Sequence, residues 1–179
     1  MITPSGGRVQ MKQVGSSSVY ESSDSTYTQL SFSGSTPVVK TSDGTQYWFE
    51  TQVSAEWRCT KIVDRNGNYI SATYNPSNGH LLTITDTLGR VVNFNYDGND
   101  NLWTITQTWG GTTHTWATFV YDSVYMSFNF SGLTPIGATN GANRTVLKFV
   151  VFSENTSYHF DYNGYGQVYR ITHVAPDGH

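Results

Sequence analysis

Charge is scarce in this chain. Four Lys, six Arg, nine Asp and four Glu make up 13% of 179 residues, about half the share of an average soluble domain. The cations are scattered singly and the formal net charge is -3, so there is no basic stripe and nucleic acid is excluded as a partner. Cys59 is the one cysteine, which rules out an internal disulfide. Helix formers are thin, with six Ala and seven Leu, and no stretch keeps a 3.6-residue period. No apolar run approaches the ~18 residues of a membrane span, and "MITPSGGRVQMK" has no signal-peptide core. Neither membrane insertion nor self-evident export is expected.

What is present is aromatic and turn-forming: 12 Tyr, 9 Phe, 5 Trp and 17 Gly. The chain also repeats itself. "YNPSNGHLLTIT" from Tyr74, "NFNYDGNDNLWTIT" from Asn93 and "YNGYGQVYRIT" from Tyr162 are variants of one phrase. Ile62 to Ile84, Asp64 to Asp86, Gly67 to Gly89 and Tyr74 to Tyr96 are each 22 residues apart. Ile84 to Ile105 is 21, and Ile105 to Ile171 and Tyr96 to Tyr162 are both 66, three such periods. A period shared by several residue types marks a structural repeat.

Within a unit the pattern alternates: Leu82, Ile84 and Asp86 against Leu81, Thr83 and Thr85, then Val92, Phe94 and Tyr96 against Val91, Asn93 and Asn95. Period two with β-branched and aromatic residues predicts strands, and the Gly/Asn/Asp clusters between them predict hairpin turns. Gly67 and Gly89 are expected at positive φ. The fold class is all-β, an antiparallel meander of repeated β-hairpins. One face should carry Ile84, Ile105, Ile171, Leu82, Trp103 and Tyr169 and serve as a core or sheet wall, each isoleucine contributing roughly 1.5–3 kcal/mol if buried. The opposite face should be threonine-rich. The organisation expected is an N-terminal strand region over 1–58, two clear repeats over 59–106, degenerate repeats with insertions over 107–156 and a partial repeat over 157–179.

These residues resemble the YD repeats of Rhs (rearrangement hot spot) proteins, a motif shared with teneurins, toxin-complex C subunits and bacterial wall-associated proteins. The motif pieces are the Asp-x-x-Gly-Arg/Asn turn (Asp64 with Gly67; Asp86 with Gly89 and Arg90), the tyrosines Tyr74, Tyr96 and Tyr162, and Asp97. The Tyr-Asp pair is strict at Tyr96 and Asp97, whereas Asn follows Tyr74 and Tyr162. The resemblance implies a role as one stretch of a longer, secreted or surface-delivered chain, in which many repeats coil a sheet into a shell around a toxin or present an extracellular surface. The family's Asp-Pro-x-Gly-Leu self-cleavage text is missing; "VAPDGH" at 174–179 reverses its Pro and Asp.

No nucleophile motif, phosphate loop or cofactor signature occurs, and a non-catalytic role is expected. "DRNGN" and "DGNDN" offer calcium-type oxygens, but hairpin turns use the same residues and the full twelve-residue calcium loop is missing. His80, His114, His159, His173 and His179 keep no metal-ligand spacing, so neither a metal nor a cofactor is expected. Trp103, Trp109, Trp116, Tyr165 and Tyr169 are candidates for a sugar-stacking platform, against the alternative that they pair across strands. The partners expected are neighbouring repeats of a longer chain, a second copy joined through edge strands, or a cell-surface glycan. The rival functions are a carbohydrate-binding adhesin module and a glycan-active β-enzyme; a convergent carboxylate pair in a cleft would favour the enzyme.

Overall fold

Alternation makes the strands, and a short turn of one construction ends six of them. The structure, a computed structural model, describes residues 6–128, 130, 136 and 139–176; the stretch Asp177, Gly178 and His179 lies outside the described residues.

The described residues contain strands and no helix. In chain order these are β1 (Met11–Gln13), β2 (Tyr20–Ser22), β3 (Gln29–Ser33), β4 (Thr36–Lys40), β5 (Gln46–Trp48), β6 (Thr51–Val53), β7 (Glu56–Arg58) and β8 (Lys61–Val63). There follow β9 (Tyr69–Tyr74), β10 (Leu81–Asp86), β11 (Val91–Tyr96), β12 (Leu102–Trp109), β13 (Thr112–Tyr125), β14 (Asn143–Phe152), β15 (Ser157–Tyr162) and β16 (Val168–Val174). Fourteen of them form an antiparallel sheet in chain order, and β6 pairs with β7 as a separate hairpin. The fold is the all-β meander read from the alternation. By its contacts the chain divides into Met1–Asn93 and Phe94–His179.

The turns explain the repeat. In each, the first residue donates its N–H to the carbonyl four residues on, and its own carbonyl accepts from the residue three on. Thr41–Thr45, Asp64–Asn68, Asp86–Arg90, Asp97–Asn101, Phe152–Thr156 and Asn163–Gln167 all follow this scheme. The fourth position is left-handed every time: Gly44 (φ 92°), Gly67 (89°), Gly89 (76°), Asp100 (64°), Asn155 (63°) and Gly166 (76°). Glycine fits there without the Cβ penalty; Asp and Asn are the side chains that tolerate it best.

In the unit Met1–Asn93, the pairings Tyr20↔Leu30, Leu30↔Val39, Val39↔Tyr47, Tyr47↔Ile62 and Ile62↔Ile70 make one apolar row across the strands. A second row, Ala72↔Ile84 and Ile84↔Val92, continues on the same face. The opposite face carries hydroxyls: Thr73 Oγ1 and Thr83 Oγ1 are 2.7 Å apart, and the Ser71 hydroxyl donates to the Thr85 carbonyl. The β6–β7 hairpin stands against the apolar row, and a groove of about 810 Å³ between them is lined by Tyr20, Leu30, Val39, Trp57 and Arg58. The small core of this unit is Val38, Val39 and Val53.

In the unit Phe94–His179, Ile105↔Ala117↔Phe152 and Phe119↔Val150↔Tyr158↔His173 form the apolar rows. The other face runs Thr104↔Thr118↔Val151↔Ser157 and Val120↔Phe149↔His159↔Thr172. Asn95 adds to it by donating its amide to the hydroxyls of Thr104 and Thr106. Past β13 the chain runs against the β15–β16 turn. Ser127 N–H donates to the Gly164 carbonyl at 2.7 Å, buried Met126 lies on Gly166, and Phe128 and Phe130 stack with Tyr165.

Of the face expected to serve as a core or sheet wall, Ile84 and Ile105 are half-buried, whereas Trp103 is 55% exposed, Ile171 58% and Tyr169 64%, so it is a wall more than a core. Alternation put these residues on one face, but a sheet face becomes a core only when a second layer covers it. Among the described residues only β6–β7 and the Met126–Phe128 segment stand against the sheet.

Candidate functional site

The motif aspartates hold the turns. Asp64 Oδ1 accepts the N–H groups of Asn66 and Asn68, and Asp64 Oδ2 accepts the Asn68 amide. Asp86 Oδ1 accepts from the Leu88 and Arg90 backbones, and Oδ2 takes the Arg90 Nε at 2.7 Å. Asp97 does the same with Asn99 and Asn101, and Asn163 with Tyr165 and Gln167. The side chain of the fifth residue, Asn68, Arg90 or Asn101, is the main cause holding each carboxyl below its usual range, with the backbone N–H groups adding to it. Asp161 on β15 is held low chiefly by Arg170, whose Nε donates at 2.7 Å.

The sign of the pH dependence follows. A carboxylate whose folded pKa is depressed contributes stability that is present above the unfolded value, near 4, and is lost as pH falls through the folded value. Thermal melts should therefore stay level from neutral pH to about 5 and drop below about 4. Asp86→Asn should shrink the acid-side drop, and an unchanged drop would contradict the assignment.

The tyrosines of the repeat tie neighbouring strands together. Tyr74 donates its hydroxyl to the Cys59 carbonyl (3.0 Å), Tyr162 to Leu147 (2.7 Å), and Tyr121 to Leu102 (2.9 Å). Tyr121 was missed in the sequence although the signal was there: Tyr121–Asp122 is a second Tyr-Asp pair. It sits in the middle of β13 with no turn after it, which hides it from a motif search keyed on Gly.

The five aromatics proposed as a platform are separated by the fold. Trp109 and Trp116 come together on the β12–β13 hairpin, with Trp109 stacked on His114 at 3.5 Å and Trp116 Nε1 donating to Gln107 Oε1. Trp116 is the extra residue of a β-bulge, since Thr106 pairs with Thr115 and Ile105 with Ala117. Stacking on His114 covers one face of the Trp109 indole, and the group pairs across the two strands of the hairpin. Tyr165 stacks with Phe128 and Phe130, and Tyr169 stands on β16 without a ring partner among the described residues.

Trp103 is different. It lines a cleft of about 720 Å³ with Tyr96, Phe119, Tyr121, Asp97 and Asp122, where Asn99, Asn101, Ser123 and Thr145 complete the rim. Pairing across Thr104↔Thr118 brings Phe119 of β13 beside Trp103. Burial, then the Asp97 and Tyr96 charges, raise the Tyr121 phenol, so it stays protonated as a donor. Asp97 makes a poor general acid, because its carboxyl is held low by the Asn101 amide and backbone N–H groups.

The calcium reading meets the same turns, with Asp64 and Asp97 engaged by backbone N–H groups. Among the described residues no group of three or more His, Cys, Asp or Glu gathers as metal ligands. His159 lies 3.6 Å from Asp161, on its own face of β15, and stacks on Phe149. No described helix is long and apolar enough to cross a membrane.

With the turn geometry in view, the comparison with protein families is decisive: residues 74–113 match the model of the RHS repeat. That stretch is an RHS repeat, the repeat of the Rhs/YD-repeat family. The matched RHS repeat begins at Tyr74 and holds both the Asp86–Arg90 and the Asp97–Asn101 turns. It also takes in Trp103 and ends at the tip of the β12–β13 hairpin. No curated protein matches the chain.

Proposed function

We propose that this Rhs/YD-repeat chain is a non-catalytic structural segment that extends a larger sheet through its last strand. The observation that carries the reading is β16. Its residues Val168 to His173 are exposed, and among the described residues β15 is its one ladder partner. It is seven residues long, and its single strong charge, Arg170, is engaged by Asp161. Natural edges are blunted by lysine, proline, bulges or shortness; β16 has a bulge at Tyr169 near its start, and no lysine or proline within it. The occupant of that edge is a neighbouring repeat of a longer, secreted or surface-delivered chain, and in its place a second copy. Carriage of a toxin inside such a sheet rests on the family resemblance.

Sedimentation across a concentration series tests this. Concentration-dependent dimerisation is expected. Arg170→Pro and Ile171→Pro, made separately, remove one N–H directed at β15 and one directed outward, since these alternate along a strand. The variant losing the outward donor should dissociate at least tenfold more readily at unchanged circular dichroism. A strict monomer at high concentration would overturn the edge reading.

A further inference from the structure

We propose that the cleft beside Trp103 takes an organic cation of the trimethylammonium class, with choline as its simplest form. Four aromatic rings line it, Tyr96, Trp103, Phe119 and Tyr121, together with the carboxylates of Asp97 and Asp122 and no Lys or Arg. Ring faces and anionic charge are what hold a quaternary ammonium, through the ring quadrupole and direct attraction. Trp103 is 55% exposed and stacks on no ring among the described residues, so an indole face is open to the ligand. The volume, about 720 Å³, admits a trimethylammonium head with a short chain.

Hydrogen bonding inside the cleft narrows the class. Both oxygens of Asp97 are spent on its turn, Oδ1 on the Asn99 and Asn101 N–H groups and Oδ2 on the Asn101 amide. The Asn101 amide, then the backbone N–H groups, hold that carboxyl low, so its charge persists at neutral pH. The Tyr121 hydroxyl is spent on the Leu102 carbonyl. Asp122 Oδ1 accepts the Ser123 N–H at 2.7 Å, which leaves Oδ2 as the free carboxylate oxygen. A primary ammonium brings three N–H donors and would find that single oxygen for them. A trimethylammonium has none to satisfy and gains from the charges and the rings alone. The site is independent of the β16 edge, so either idea can fail alone.

The test is titration of the ¹⁵N-labelled chain, at constant ionic strength, with choline, with its uncharged carbon isostere neohexyl alcohol, and with ethanolamine. Choline should shift the Trp103 indole resonance saturably by about 50 mM, enough to fill a site of ~5 mM Kd, with the Trp57 indole unmoved. The isostere keeps the shape and loses the charge, so it should bind about tenfold more weakly; ethanolamine should also bind more weakly than choline. Trp103→Leu and Asp122→Asn should each weaken choline binding about fivefold, whereas Trp109→Phe should not. Asp122 is exposed, so its variant keeps the test open if Trp103→Leu folds poorly. Phosphocholine separates the sources of the cation: binding equal to choline assigns the site to a phosphate-linked head group, and weaker binding to the free cation. No saturable shift with choline, an isostere or ethanolamine that binds as well, or full affinity in Asp122→Asn would overturn the proposal.

Discussion

Gly166→Ala is expected to lower the free energy of unfolding by about 2–4 kcal/mol, the largest single effect anticipated for a turn residue. Two costs combine there. The backbone is left-handed (φ 76°), and a Cβ would stand 2.9 Å from Met126 Cε and 3.3 Å from its sulfur. Met126 is only 5% exposed, so its flexible end has little room to turn away. Gly89 has the same φ of 76° with nothing near its would-be Cβ, and Gly89→Ala should cost only the backbone share, about 1–2 kcal/mol. Thr85→Ala should fall within ~0.5 kcal/mol of the parent. Urea unfolding orders the three. Adding Met126→Ala to Gly166→Ala should remove the crowding share and leave the strain. If Gly89→Ala melts like the parent, the turn scheme is wrong; if Gly166→Ala matches Gly89→Ala, the Met126 contact is wrong.

The second large effect has the opposite sign. In "YDGND" the glycine stands at the wrong place for the turn: Asp100 is left-handed at φ 64°, while Gly98 is not. Gly98→Ala removes backbone freedom from the unfolded chain and meets nothing within 4 Å, so it should stabilise by about 0.4–1 kcal/mol. Asn155→Gly relieves a left-handed side chain at φ 63° and should add about 0.5–1 kcal/mol. Asp100→Gly should also stabilise, by less, because the residue has an interaction of its own to lose. The Gly98→Ala, Asn155→Gly double variant should be about 1–2 kcal/mol more stable than the parent by urea midpoint. A loss of stability in both singles would put the left-handed residue elsewhere.

That misplaced glycine marks where the sequence stops being legible. The turns at Asp64 and Asp86 could be read directly, since an acceptor at the first position and glycine at the fourth are both local requirements. At Asp97 the acceptor was visible but the left-handed position was not, because Gly98 draws the eye and Asp100 tolerates the conformation. The β13 strand was harder still: Tyr121–Asp122 looks like a turn start yet lies inside 14 residues of continuous strand. Alternation told which side chains share a face where the ladder is regular, but Leu82 and Tyr169 fall at register shifts that it does not reveal. It is silent on whether anything covers that face, which is why Ile171 and Tyr169 stand more than half open. The cleft was out of reach for a related reason. Trp103 could be chosen by type, but Phe119 and Asp122 join it through strand pairing that no local pattern encodes.

Amide hydrogen exchange along β16 tests the central claim, a repeat sheet ending in an open edge, most directly. In dilute solution the N–H groups of Val168 to Val174 directed at β15 should exchange slowly and the alternate ones fast. Raising the concentration should slow the fast set as a second strand pairs there. Uniformly slow exchange along β16 in a dilute monomer would mean that the edge is already covered, and would contradict the account.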